Sequence, residues 1–184
     1  MKKPIIIFFI CSFLLTSCYS TKKLIRKSEY TTSDFNKNKI DGLYSNDSND
    51  SRGFVLWRTL RESYKLDFYK LDLDNSIVKL ELVDDQNLSV KLLKEDKVID
   101  EFYLKGKIKG DYFSINRKLI YIPFFPICYI HNETKTIIGN DKLGNLVVVD
   151  GFIGEGHLLI MAAGSRRISS SKYQRIKTKQ KTYN

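Results

Sequence analysis

His131 and His157 are the only histidines in this 184-residue chain. Histidine is the side chain most often used for acid–base work, and Asp150 lies near His157 in the sequence. A serine hydrolase could use His157 with Asp150, but no Gly-x-Ser-x-Gly elbow supplies the nucleophile. Zinc needs three or four ligands, usually in local pairs, and no HxxxH, HxH or CxxC spacing occurs. The stretch Gly151-Phe152-Ile153-Gly154-Glu155-Gly156-His157 is rich in glycine. It has neither the GxGxxG order nor a Walker lysine with Ser/Thr, and reads as flexible turn chemistry before a strand at Leu158. The Asp/Asn/Ser cluster Ser45–Gly53 does not follow the order of acids in an EF-hand, and reads as a solvated loop. Cys128 lies among Ile127, Tyr129 and Ile130, where a thiol behaves as a small buried hydrophobe. The expectation is no catalytic set, no metal and no cofactor.

One cysteine does suggest chemistry of another kind. Lys2 and Lys3 precede an eleven-residue apolar run, Ile5 to Leu15, and Leu15-Thr16-Ser17-Cys18 follows. Positive start, short apolar core and small-residue cut site make a secretory signal. Eleven apolar residues fall short of the roughly twenty that span a bilayer. Leu15-Thr16-Ser17-Cys18 resembles the lipobox of bacterial lipoproteins. That resemblance implies cleavage before Cys18, diacylglycerol on its sulfur, and membrane attachment through the lipidated cysteine. Tyr19 in place of Asp after the cysteine resembles the pattern sorted to the outer membrane, with the periplasmic leaflet favoured. Two or three acyl chains, at about 0.8 kcal/mol per buried methylene, would hold the protein there.

The full chain carries a net charge of +10. Without residues 1–17 it has 29 basic against 21 acidic side chains, +8. Residues 19–39 hold six of the basic residues against two acids, and residues 166–184 hold seven and no acid. The segment 40–165 is left at −3, with 16 basic and 19 acidic. A basic pI raises the question of nucleic acid, but an exported, lipid-held chain does not meet the genome, so no nucleic-acid partner is expected. Arg166, Arg167, Lys172, Arg175, Lys177, Lys179 and Lys181 are candidates for contact with an anionic surface, each worth about 1 kcal/mol beside it. The competing reading is a solvated, disordered tail.

The organisation follows from patterning. The expected segments are a signal at 1–17, a lipidated cysteine and flexible basic tether at 18–39, one β-rich domain at 40–176, and a disordered tail at 177–184. Val78, Leu80 and Leu82 alternate with Lys79 and Glu81, and Leu88, Val90 and Leu92 with Ser89 and Lys91. Turns at Asp84–Asn87 and Lys94–Lys97 space these runs as in an antiparallel meander. Further strands are expected at 98–109, 112–115, 135–139, 146–149, 158–162 and 173–176. Phe54–Tyr64 looks helical, with Val55, Leu56, Thr59, Leu60 and Ser63 on one face and Trp57 to its side. The fold class is therefore all-β, mainly an antiparallel meander, barrel-like or sandwich, with at most one short helix.

Leu119–Ile130 is the most apolar stretch after the signal. Pro123 and Pro126 remove two backbone donors, so a strand, a rigid crossing and a second strand are expected. Burial is its default, since contiguous exposed apolar patches are uncommon on monomers. If exposed, Phe124, Phe125 and Ile127 are the candidates for contact with another envelope protein, an apolar ligand or lipid.

Two resemblances add to this. Lys107–Lys118, Ile138-Gly139, Gly144–Val148 and Leu159–Gly164 resemble small bacterial envelope lipoproteins across about residues 75–165. Gly42-Leu43-Tyr44 is similar to the Gly-x-Trp that opens the first strand of lipocalin-type barrels, with tyrosine in place of tryptophan. That resemblance implies a barrel that carries a small apolar ligand or lipid, with Arg175 as its closing arginine. The expected function is a non-enzymatic binding or structural role in the cell envelope. The alternatives are the carrier and, third, an envelope hydrolase built on His131 or His157.

Overall fold

The computed structural model describes residues 21–30, 37–48, 53–64, 71–124, 127–159 and 161–177. The signal segment, Cys18, Phe125, Lys179 and Lys181 lie outside them. The described elements are α1 (Thr21–Lys27), α2 (Lys37–Ile40), β1 (Gly42–Ser45), α3 (Leu56–Tyr64), β2 (Ile77–Leu82), β3 (Asn87–Lys94), β4 (Lys97–Lys109), β5 (Tyr112–Ile115), β6 (Lys118–Phe124), β7 (Cys128–Asn140), β8 (Leu146–Leu158), β9 (Met161–Tyr173) and β10 (Arg175–Ile176).

The strands form one antiparallel sheet in the order β10-β1-β2-β3-β4-β5-β7-β8-β9, with β6 added on β7. The protein is thus mainly antiparallel β. Alternation sets its inner face. Val78, Leu80, Leu88, Val90, Leu92 and Leu104 are fully buried, and they share one core with Tyr44, Phe113, Ile138, Val148 and Tyr173. Most of their odd partners reach water, where Lys91 Nζ lies 3.2 Å from Glu81 and 3.6 Å from Glu101, while Ser89 is buried. Such exposed pairs add little stability.

The sheet is not closed. Its end strands, β10 and β9, are consecutive in the chain and separated only by Gln174. The Gln174 carbonyl accepts from Ser45 N at 2.9 Å, so the last strand leaves β8 and continues onto β1. An opposite change of partner occurs in β4, which pairs β3 through Lys105 and β5 from Gly106. A Cβ on Gly106 would lie 2.5 Å from both the Phe113 ring and the Ser114 carbonyl oxygen. Only glycine lets the strand turn that corner.

Four expectations are corrected. More than one short helix is present, because α1 and α2 accompany α3. Residues 21–30, expected to be part of a flexible tether, are folded onto the sheet. Leu24 is fully buried with Ile137, Val147, Val149 and Ile153 on the outer face, and Ile25 and Tyr30 pack around them. A seven-residue helix is marginal alone, so this burial holds α1. Trp57 is not beside the buried face of α3 but in it, 2% exposed, with its ring edge-on to Phe102 at 4.8 Å. The glycine-rich stretch 151–157 is not a turn but the distal half of β8. Its glycines admit close neighbours: a Cβ on Gly156 would sit 2.8 Å from the Tyr129 carbonyl, and one on Gly154 2.9 Å from the Phe152 ring.

Strands β7, β8 and β9 are each 13 residues long, well beyond the short segments expected. With β6 they carry the sheet past the core. Beyond Asn116, β6 has β7 as its one strand neighbour among the described residues.

Candidate functional site

Helix α3 is what makes a cavity in this sheet. Asn46 starts it: its side-chain Oδ1 accepts from Trp57 N at 2.8 Å and its carbonyl from Leu56 N at 2.7 Å. Asn46 Nδ2 also donates to Ser76 Oγ at 2.7 Å, which ties the helix start to the start of β2. At the other end Arg61 pairs with Asp100 on β4. Leu56, Trp57 and Leu60 fill the core, and the opposite side of α3 faces the inner surface of β6–β9.

Between them lies a cavity of about 380 Å³. Register explains its lining. Lys118 pairs Thr134, Thr134 pairs Phe152 and Phe152 pairs Arg167, so these four side chains form one inward row. The row before it is Thr136, Asp150 and Ser169. Apolar surface comes from Phe54, Ile120 and Phe152; polar groups come from both the helix and the strands.

Asp150 is the centre of the polar part. Thr136 Oγ1 donates to its Oδ1 at 2.5 Å, and Ser63 Oγ of α3 lies 2.9 Å from the same Thr136 hydroxyl. Burial pushes the Asp150 carboxyl up from the ordinary 3.8 to about 6, and the negative charge of Glu62 adds to that. The Thr136 hydrogen bond and the Arg167 charge oppose the rise. A carboxyl that exchanges its proton near neutrality beside a cation and several hydroxyls can recognise a polar group by hydrogen bonds in either charge state. Among the described residues no three His, Cys, Asp or Glu side chains gather as a metal site.

The structure separates the histidines from this site. Positions 150 and 157 of β8 face opposite sides of the sheet, so His157 and Asp150 form no dyad. His157 instead stacks on Tyr129 at 5.7 Å on the outer face, and His131 lies 6.5 Å from the same ring. Cys128 is half-buried, not fully enclosed.

The basic candidates are distributed rather than gathered in a tail. Arg166 reaches Glu155 at 2.5 Å, Arg167 lines the cavity, and Lys172 lies 2.7 Å from Asp141 and over the Tyr30 ring. They stand on β9 because its polar residues occupy an edge strand, where alternation is weakly enforced by burial. Arg175, on β10, is a latch: Nη1 donates to the Lys39 carbonyl at 2.5 Å and Nη2 to the Asp41 carbonyl at 2.6 Å. Lys177 is exposed at the last described position. Phe124 and Ile127 are exposed rather than buried, at a hairpin end that overhangs the core.

The cavity was missed in the sequence, though a signal was there. Asp150 falls two residues after Val148 and four after Leu146, on the core-facing register, where a carboxylate is costly unless it has partners. The polar residues Thr59, Glu62 and Ser63, spaced on one face of α3, were its complement.

No protein-family model, curated protein or solved structure matches the chain.

Proposed function

We propose that this chain is a lipid-anchored protein of the bacterial cell envelope that binds a small amphipathic ligand without transforming it. The cavity between α3 and β6–β9 carries the reading. Its apolar wall of Phe54, Ile120 and Phe152 faces a polar group of Asp150, Arg167 and Ser/Thr hydroxyls, so it suits a ligand with one greasy and one polar part. The sequence supports the anchor at Cys18.

Native mass spectrometry of protein extracted in mild detergent tests the binding claim. A non-covalent adduct is expected, and Thr134→Trp, which fills the cavity, abolishes it while the circular dichroism spectrum stays that of a β protein. Protein that carries no adduct and gains no thermal stability from a panel of fatty acids, lysophospholipids and isoprenoid phosphates sinks the reading. The anchor is tested separately by Cys18→Ser, expected to remove the acyl mass and to release the protein from membranes.

A further inference from the structure

The distal end of the four-stranded overhang has an arrangement that the cavity does not use. Cys128 pairs both Phe124 and Leu158, and Leu158 pairs Met161, so the last row of β6–β9 brings apolar residues side by side. Phe124 is 62% exposed and Met161 75%. The two hairpin ends are joined by Leu159 N, which donates to the Ile127 carbonyl at 2.7 Å. Leu159 is 67% exposed and has φ +54°. Asn or Gly is the residue for such a hairpin position. A leucine there is disfavoured twice, by its backbone and by its contact with water.

Behind this apolar end the side chains are sorted by depth. Tyr129 and His157, one residue behind this row, stack on each other at 5.7 Å, and Tyr121, about 10 Å back at roughly 3.3 Å per residue, stands edge-on to Tyr129 at 5.5 Å. Some 20 Å back stand Lys118 and Arg167, with Arg117 and Arg166 beside them. Residues 117–124, 127–133 and 153–167 together carry those four cations against Glu133 and Glu155. Arg117 pairs with Glu133 and Arg166 with Glu155, which leaves Lys118 and Arg167, at the cavity end of the overhang, as the surplus positive charge. Apolar tip, aromatic residues and then surplus positive charge is the order in which a bilayer presents hydrocarbon, interface and anionic headgroups.

We propose that the hairpin ends around Phe124, Leu158, Leu159 and Met161 insert into the interfacial layer of an anionic phospholipid bilayer. This deepens the anchored reading, as a second, non-covalent point of attachment that orients the cavity. The occupant is lipid rather than protein, because the apolar residues sit on a narrow projecting end, not in a groove, and the charge behind them is positive.

The test uses the full chain, processed and purified from membranes, carrying Phe124→Trp. Trp57, 2% exposed in the core, supplies a constant background emission. The protein is placed on phosphatidylethanolamine vesicles containing phosphatidylglycerol, with and without brominated acyl chains. Emission added at position 124 is expected to shift to the blue and to lose most of its intensity to the brominated lipid. The same chain with Leu159→Gln and Met161→Gln is expected to lose that quenching while its circular dichroism is unchanged. Unshifted, unquenched emission overturns the proposal. So does a blue shift without quenching, which means that a second copy or another protein covers the tip. The intact mass reports acylation of Cys18 independently, so loss of the anchor with quenching retained removes the lipoprotein reading alone.

Discussion

The Arg175 guanidinium lies over the Tyr44 ring, its central carbon 5.8 Å from the ring centroid. The contact joins the last strand to the first. Tyr44 is fully buried; its single hydroxyl proton lies between the carbonyls of Lys39 and Ile40, each at 2.9 Å, and its oxygen accepts from Asn140 Nδ2 at 3.2 Å. Burial raises the Tyr44 pKa above its ordinary value, so the hydroxyl stays neutral and keeps donating. Gly42 makes room for the arginine, since a Cβ there would meet the guanidinium at 3.0 Å.

The open side of the sheet should therefore depend on Arg175. Two charge-assisted hydrogen bonds and a cation–π contact together suggest a loss of about 2–3 kcal/mol in Arg175→Ala. Arg175→Lys should recover less than half of it, because one ammonium cannot hold both carbonyls in a planar fork. Urea melts followed by Trp57 fluorescence measure this. A midpoint unmoved by the alanine change would show that the ends of the sheet do not need the latch.

The corner at Gly106 makes a second, stronger demand. A methyl group would be driven into the Phe113 ring and the Ser114 carbonyl at 2.5 Å, and the backbone oxygen cannot move without breaking the pairing of β4 with β5. Gly106→Ala should cost about 3 kcal/mol, at the upper end for overpacking. Phe113→Leu in the same chain should restore only part, since it relieves the ring but not the carbonyl. Thermal unfolding of the single and double variants checks the order. Equal melting temperatures for Gly106→Ala and the parent would contradict the corner.

How much of this was legible follows from burial. Strands β2 to β5 were readable because one face is core and the other water, so Val78, Leu80, Leu88 and Val90 alternate with charged or polar residues. The long strands β7 to β9 were not, because their distal halves line a cavity on the inner face and are only partly covered on the outer one, so alternation carries little free-energy difference there. Glycines 151, 154 and 156 then looked like turn residues. Helix α1 was hidden for another reason: it buries Leu24 against the outer face of a sheet whose inner face already holds the core. Outer-face residues Ile137, Val147 and Val149 alternate with inner residues that are also apolar, which reads as a run rather than a period. The Arg175 contact with the carbonyls of Lys39 and Asp41 carries no periodic signal, because it joins residues more than 130 positions apart. Sequence adjacency pairs Asp150 with His157, whereas the fold brings it to the distant Glu62 and Thr136.

Asp150 also yields a prediction with a defined sign in pH. Its folded pKa of about 6 lies above the ordinary 3.8, so the folded state holds its proton more tightly than the unfolded chain does. Below about pH 4 both states are protonated and the site carries no penalty. Between pH 4 and 6 the unfolded chain ionises first, and stability is lost as pH rises; above about 6 the loss is complete. Roughly two pH units at 1.36 kcal/mol each give a penalty of about 3 kcal/mol. Asp150→Asn keeps an acceptor for the Thr136 hydroxyl and removes the charge. It should be more stable than the parent by up to that amount at pH 7.5, with the difference vanishing near pH 3.5. Denaturant melts of both proteins across this range test the difference directly, so that titration of other carboxylates cancels. A gain that is constant with pH, or a loss at pH 7.5, would mean that the Asp150 carboxylate is stabilised by Arg167 more than it is penalised by burial and Glu62.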